Sequence, residues 1–225
     1  MEKLREIHSK LMEEFEGEEW WPHNSKFEVI VGAILTQNTS WENVQTALDE
    51  MKEKDIMDMK SIVEIDREEL EETIRSSGYY KQKAKRLKRI SKHIFQDYDS
   101  VKEFFEGRDI DELREELLNI KGIGKETADA MILYAGERPT FVVDAYTKRV
   151  FGRIGMDVGD KYDEIKAFFE ENLPSDPKLY DEYHGLLIEL AKEYCKKKPE
   201  CKGCPISHIC GYFEKNTIKI KGNKN

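Results

Sequence analysis

One short segment constrains the fold of this chain more than any other. It reads Leu117-Leu118-Asn119-Ile120-Lys121-Gly122-Ile123-Gly124-Lys125-Glu126-Thr127-Ala128. Two glycines flank one apolar residue, and apolar residues continue at helical spacing on both sides, so we predict two helices joined by a tight hairpin. Gly-x-Gly also occurs in ordinary turns after a helix. The flanking pattern, together with an aspartate 18 residues after Glu126, favours a hairpin that binds DNA.

The start of the second helix supplies the binding chemistry of such a hairpin. Backbone N–H groups point outward there, and the helix dipole favours a phosphate oxygen. The residues that we expect to contact DNA in this segment are Lys121, Gly122, Gly124, Lys125 and Thr127.

Helical periodicity dominates most of the chain and predicts an all-α fold. Apolar residues recur at helical spacing within 4–15, 27–35, 44–51, 70–74, 84–95, 101–105, 113–118 and 162–169. Turn signals separate these segments, and Ser100 with Glu103 forms a predicted capping box. No linker rich in Gly, Ser or Pro divides the chain, so any second domain should pack closely against the first.

The charge balance limits how this chain can bind DNA. With 37 Lys and Arg against 46 Asp and Glu, its formal net charge is −9, so binding needs a local basic face. One candidate is the segment 81–89, which carries six positive charges; the alternative is a solvated helix surface. No long apolar stretch or leader is visible, and we expect a monomeric cytoplasmic protein, associated with the nucleoid, that does not bind membranes.

All four cysteines lie in one short C-terminal segment. Cys195, Cys201, Cys204 and Cys210 form the pattern C-x5-C-x2-C-x5-C. Disulfides within so short a loop would link nothing distant, so a metal centre is the better explanation. One short and two longer gaps favour a [4Fe-4S] cluster over zinc, which more often uses two C-x2-C pairs, while free thiols are the third alternative. The predicted role of the cluster is structural.

Aromatic and amide residues near the N-terminus suggest a site for a planar ligand. The tryptophans are Trp20, Trp21 and Trp41, and large aromatic residues most often fill a core. Trp20 and Trp41, however, stand among polar residues at segment ends, where an indole face can stack on an electron-poor ring. Gln37 and Asn38 follow a buried-helix pattern, so an amide there can bind a base or fill the gap that a flipped nucleotide leaves; a helix C-cap is the alternative.

The hairpin, the later aspartate Asp144 and the cysteine loop together resemble the endonuclease III superfamily of DNA glycosylases. The resemblance covers roughly residues 20–212, although the first cysteine gap is one residue shorter than usual. It implies a six-helix barrel over 26–137 and a second helical domain, formed by 1–25 and 138–225, that carries the cluster. It also implies that a damaged base of double-stranded DNA flips into the cleft between the domains, with Gln37 in the gap-filling position.

The same resemblance assigns the chemistry. Bifunctional members carry a lysine nucleophile where this chain has Glu126, so base removal without strand cleavage is expected. Asp144 is then the catalytic residue, which stabilises the developing sugar cation and orients or deprotonates water; it can also be a helix N-cap.

The aromatic residues indicate the substrate. Trp20-Trp21-Pro22, the segment 37–41 and Gly124-Lys125-Glu126 resemble the 3-methyladenine branch, so the predicted base pocket consists of Trp20, Trp21, Pro22, Trp41 and Glu126. Indole faces would select a positively charged alkylated purine, 3-methyladenine or 7-methylguanine. The alternatives are a mismatch or adenine glycosylase of the same superfamily and a non-catalytic DNA-binding module.

Overall fold

The computed structural model describes residues 2–15, 21 and 24–222, with side chains up to residue 216. Within these residues there is no β-strand, and the prediction of an all-α fold is confirmed. The α-helices, in chain order, are α1 (Glu2–Phe15), α2 (Lys26–Leu35), α3 (Trp41–Glu53), α4 (Met59–Glu64), α5 (Arg67–Thr73), α6 (Tyr80–Asp97), α7 (Val101–Phe105), α8 (Ile110–Asn119), α9 (Lys125–Ala130), α10 (Ala145–Ile154), α11 (Tyr162–Asn172), α12 (Pro177–Glu193) and α13 (Gly211–Gly222). None of the described helices is long and apolar enough to cross a membrane.

The chain divides into two compact units. One is Trp21–Arg138, which contains α2 to α9, and the other combines Met1–Trp20 with Pro139–Asn225. The assignment of a six-helix barrel to 26–137 and of the cluster domain to 1–25 with 138–225 stays a prediction.

Helix α2 forms the centre of the Trp21–Arg138 unit. Apart from Lys26 and Glu28 it is apolar, and every residue from Phe27 to Leu35 is buried, as expected for a helix surrounded by others. The buried Glu28 carboxylate lies 2.6 Å from Lys52 Nζ. Ser25 caps the start of α2 by accepting a hydrogen bond from the Glu28 N–H at 3.1 Å. Its last turn leads directly into Gln37 and Asn38, so the burial of α2 fixes where these amides emerge.

The hairpin between α8 and α9 is built as the sequence predicts. Ile120 and Ile123 are buried, and the Ile123 N–H donates to the Ile120 carbonyl at 3.0 Å, which closes the turn. The two helices are also joined by an ion pair: Arg114 Nε lies 2.8 Å and Nη2 3.2 Å from the carboxylate oxygens of Asp129, which is fully buried. This bidentate pair fixes the angle of the hairpin.

The other unit has an aromatic core around helix α12. The rings of Phe141 and Phe169 stack at 4.0 Å between centroids, with Tyr180 and Tyr183 packed at their edges. Helix α12 begins with Pro177, directly after the N-cap residue Asp176. Proline in the first helical turn is a signal for a helix start, because its missing N–H would have no partner within the helix.

The predicted capping box at α7 is only half correct. Ser100 accepts a hydrogen bond from the Glu103 N–H at 3.1 Å, as a cap should. The return bond of the Glu103 carboxylate goes to the N–H of Asp99 at 2.7 Å, one residue before the expected partner.

Candidate functional site

Glycine is required at the tip of the hairpin. Gly122 has a φ of +105°, and a Cβ atom there would lie 2.7 Å from Arg86 Cγ. Gly124 is the exposed N-cap of α9 and, having no side chain, leaves space in front of the first N–H groups of that helix. Lys121 and Lys125 are exposed on either side, whereas Thr127 is buried.

The Gln37 side chain is held by two residues from distant parts of the unit. Its Nε2 donates to Thr127 Oγ1 at 2.8 Å, and its Oε1 accepts a hydrogen bond from the Arg86 guanidinium. Asn38 is exposed with a φ of 56°, so it continues no helix and faces solvent. The structure therefore joins Gln37 to the hairpin, a contact that the sequence does not indicate. The DNA-binding role of Asn38 stays a prediction.

The basic segment 81–89 is neither a uniform DNA face nor a fully solvated surface. Lys83 is completely buried and donates to the carbonyls of Leu35 and Ser77 at 2.8 and 2.6 Å. Burial, and next the charge of Arg86, lower the pKa of Lys83 to about 8. Lys88 in turn donates to the Ile62 carbonyl at 3.0 Å. These two lysines satisfy carbonyls at the ends of other segments, so the predicted basic face is smaller than the charge count suggests.

Trp21 and Trp41 belong to an aromatic cluster. Their rings meet edge to face at 5.5 Å, and Tyr134 packs against Trp21 at 4.9 Å. A Cβ atom on Gly32 would lie 2.9 Å from Trp21, so glycine is what lets the indole rest against α2. Trp41 remains 38% exposed, which leaves part of its ring surface for a ligand. Trp20 and Pro22, also predicted for the base pocket, lie outside the described residues.

Glu126 is exposed in the first turn of α9, two residues after Gly124. A carboxylate is favoured at this end of a helix by the dipole. Its place in the base pocket stays a prediction.

Asp144 is the N-cap of α10, as one of its two predicted roles required. Its Oδ1 accepts hydrogen bonds from the Thr147 N–H and hydroxyl at 2.7 and 2.8 Å, and its Oδ2 lies 3.7 Å from His184 Nε2. Burial raises the pKa of the Asp144 carboxyl, but the contact with His184 and the hydrogen bonds from Thr147 lower it, and the net shift is downward. Asp144 is therefore held as a buried carboxylate, with one oxygen committed to the helix.

The four cysteines line a single small cavity, although among the described residues no group of His, Cys, Asp or Glu side chains is arranged to hold a metal ion. Burial, and next the neighbouring Cys210 and Cys195, raise the pKa of the Cys201 thiol, so these sulfurs are close together. Arg153 Nη1 lies 3.1 Å from Cys195 Sγ and also donates to the Lys196 carbonyl at 2.6 Å. Helix α10 thereby fixes the start of the cysteine loop.

The sequence matches the family described as HhH-GPD superfamily base excision DNA repair protein over residues 31–175. It is 47% identical to a Methanocaldococcus jannaschii protein provisionally named as a DNA repair glycosylase, over 93% of this chain and 96% of that one. Among solved structures it is similar to an H. pylori 3-methyladenine DNA glycosylase bound to 1,N6-ethenoadenine, with 35% identity, a TM-score of 0.73 and coverage of 85% and 96% of the two chains.

A DNA-bound endonuclease III shares the fold at 23% identity, with a TM-score of 0.81 over 96% of this chain and 98% of that one. The chain therefore belongs to the HhH-GPD superfamily of base excision DNA repair proteins, as a DNA glycosylase. The resemblance to the endonuclease III superfamily is confirmed.

Three contacts had no signal that we recognised in the sequence. They join Arg86 to Gln37, His184 to Asp144 and Tyr134 to Trp21. Each partner is at least 40 residues away in the chain, so only the tertiary fold brings the pairs together.

Proposed function

We propose that this glycosylase removes alkylated purines, 3-methyladenine and also 7-methylguanine, and stops at the abasic site. The aromatic cluster carries the proposal. Trp41 offers an exposed indole surface, Trp21 packs edge to face against it and Tyr134 packs against Trp21. An indole attracts a cationic base more strongly than a neutral one. The 35% identity to the H. pylori 3-methyladenine enzyme gives independent support.

A cationic base needs little help to leave. Its glycosidic bond is already weak, and departure generates positive charge on the deoxyribose. Asp144 is the group that we assign to this charge, because its contacts with Thr147 and His184 keep it ionised. Its Oδ1 is occupied by the helix cap, so Oδ2 is the oxygen left to stabilise the sugar cation and to orient water.

Glu126 accounts for the absence of strand cleavage in this proposal. A carboxylate cannot form the imine with the sugar that a lysine at this position forms. Lys125 is adjacent, but a shift of one residue on a helix turns a side chain by about 100°, so it does not substitute for a lysine at position 126. The abasic product is then left for another enzyme.

The hairpin and Gln37 supply DNA binding in this scheme. A phosphate oxygen lies at the N-terminal N–H groups of α9, where Gly124 leaves them open and Lys121 and Lys125 add positive charge. Gln37 fills the gap that the flipped base leaves in double-stranded DNA.

The cysteine loop fits a [4Fe-4S] cluster held by Cys195, Cys201, Cys204 and Cys210. Four thiols line one cavity, and the Arg153 guanidinium lies 3.1 Å from the sulfur of Cys195. A cubane cluster is larger than a single ion and takes its ligands at separate corners, so the sulfurs need not converge on one point as they do around zinc. A cluster held by these four cysteines would tie the segment 195–210 together and would take no part in base removal.

Release of free bases from methylated DNA tests the proposed substrate. We expect chromatography to detect 3-methyladenine, with release abolished by Asp144→Asn and no complex trapped by borohydride. Excision of thymine or adenine from mismatches, without release of methylated bases, would instead favour a mismatch glycosylase. Release that is unchanged in Asp144→Asn would contradict the role of that carboxylate, whereas no release above that from protein-free DNA would favour a module that only binds DNA.

A further inference from the structure

Arg86 lies at the junction of two predicted DNA-binding features. The stem of its side chain covers Gly122, where any Cβ atom would lie 2.7 Å from Arg86 Cγ and 2.8 Å from Nε. The guanidinium at the end of the same side chain donates to Gln37 Oε1. One residue of α6 therefore contacts both the tip of the hairpin and the gap-filling amide.

This contact decides which way the Gln37 amide is turned. A carboxamide has two chemically different ends, and a guanidinium can only donate hydrogen bonds. Arg86 therefore selects the oxygen end, which directs Nε2 to the Thr127 hydroxyl at 2.8 Å. One lone pair of Oε1 and one hydrogen of Nε2 are left for a ligand, and their positions are fixed from both sides.

Helix α6 is itself anchored against the hairpin. Arg89, almost one turn after Arg86, donates from Nη1 to the Lys121 carbonyl at 3.1 Å. Lys83, almost one turn before Arg86, binds the carbonyl of Leu35 at the end of α2. Helix α6 is thus fixed both to the hairpin and to the end of α2, so the Arg86 guanidinium has a defined position.

We propose that Arg86 is a positioning residue that orients the Gln37 carboxamide for insertion into the gap opposite the lesion. The inference rests on the proposed function, because it requires Gln37 to enter DNA. It differs from an ordinary role for a surface arginine, which is to neutralise one phosphate. The planar guanidinium acts here through its fixed geometry, and charge alone does not replace it.

Arg86→Lys separates geometry from charge. The protein is titrated onto a duplex with a tetrahydrofuran abasic analogue and onto the same duplex undamaged, so that no base chemistry is needed. We expect wild type to prefer the abasic duplex, and Arg86→Lys to lower that preference about tenfold without changing its salt dependence. Gln37→Ala should give the same loss, and the double variant should lose no more than either single variant.

A matched control and a second variant complete the test. Lys92→Met removes one positive charge from an exposed position of the same helix, outside the segment 81–89, and should leave the preference unchanged. Thr127→Val releases the other end of the Gln37 amide without altering Arg86 and should also lower the preference, even where Arg86 variants fail to fold. Thermal unfolding of each variant identifies losses caused by destabilisation alone.

Three results would overturn the inference. They are full retention of the preference in Arg86→Lys, additive losses in the double variant, and losses that track only the unfolding temperature. For Arg86→Met, the slope of the logarithm of the binding constant against the logarithm of the salt concentration could be smaller by about 0.9 while the preference for the abasic duplex is unchanged. That result would make Arg86 a simple phosphate contact. If wild type shows no preference for abasic DNA, the gap-filling role of Gln37 fails, whereas a preference that survives Arg86→Lys refutes only the present proposal.

Discussion

Single residues carry most of the specificity that we propose for this glycosylase. Trp41 is one of the few large apolar side chains left exposed among the described residues, and Trp21 supports its edge. Asp144 combines two roles, because the same carboxylate that caps α10 also faces His184. For Trp41 and Asp144, the proposed chemistry depends on the ring surface and the carboxylate oxygen that remain available for a ligand after the contacts within the protein are made.

Replacement of Trp41 should affect charged bases more than neutral ones. We expect Trp41→Ala to slow release of 3-methyladenine by about 5- to 30-fold, the equivalent of the roughly 1–2 kcal/mol of a desolvated cation–π contact. Trp41→Phe should recover most of the rate. Single-turnover release of 3-methyladenine and of neutral 1,N6-ethenoadenine measures the difference, and Phe95→Ala, at an exposed aromatic on α6, is the control. Equal losses for both bases would contradict charge selection.

The pKa of Asp144 gives a prediction for stability. Its folded value lies below the ordinary 3.8, so the ionised carboxylate stabilises the fold above pH 3.8 and this contribution disappears as the pH falls through the folded value. Asp144→Asn keeps a capping oxygen but loses the charge. We expect urea unfolding to show wild type more stable near neutral pH and the difference to shrink in acid. A stability difference between wild type and Asp144→Asn that grows with acidification would contradict the downward shift of the Asp144 pKa.

Elements hold these residues in place, and the hairpin is the clearest case. Its two helices are joined by Arg114 and the buried Asp129, and its tip is covered by Arg86. Helix α2 holds the aromatic cluster in place, because the Trp21 indole lies against Gly32, which has no side chain. In both places one element can approach another because glycine has no side chain.

Breaking the ion pair of the hairpin should cost stability. Arg114→Met leaves the Asp129 carboxylate buried without its guanidinium, at a cost of about 3–5 kcal/mol in the free energy of unfolding. Removing both charges, in Arg114→Met with Asp129→Leu, should restore a large part of that loss. Chemical denaturation of the two variants makes the comparison, and an equal cost for the double variant would contradict the explanation by an unpaired buried charge.

A methyl group on α2 should disturb the aromatic cluster. In Gly32→Ala the new Cβ atom would lie 2.9 Å from Trp21, so the indole must move and Trp41 loses its support. We expect slower release of 3-methyladenine together with a shifted tryptophan fluorescence spectrum. Gly152→Ala, at a helical glycine with no atom near the added methyl group, is the matched control. A normal spectrum and rate in Gly32→Ala would contradict the packing described.

At the scale of the whole molecule, the two compact units hold different parts of the machinery. The unit Trp21–Arg138 contains the hairpin, Gln37 and the described tryptophans, while Asp144 and the four cysteines belong to the other unit. The three motifs that carry the resemblance to the superfamily, which are the hairpin, Asp144 and the cysteine loop, are therefore divided between the two units.

Local signals in the sequence were sufficient for part of this structure. The helical fold, the hairpin turn at Gly122 and the N-cap role of Asp144 depend on near neighbours in the chain, and all three could be predicted. Arg86 and Gln37 are 49 residues apart, so their contact leaves no local pattern. The size of the basic face in the segment 81–89 could not be predicted for the same reason. Lys83 and Lys88 bind carbonyls of distant segments, and a count of charges does not reveal these contacts.

The central claim is that the enzyme excises a cationic purine with Asp144 and stops at the abasic site. The most direct measurement incubates the protein with methylated DNA, quantifies the released bases, and then resolves the DNA on a denaturing gel with and without alkali. We predict free 3-methyladenine, strand breaks only after alkali, and no adduct trapped by borohydride. Strand breaks without alkali together with a trapped adduct would contradict the account, because they require an amine nucleophile.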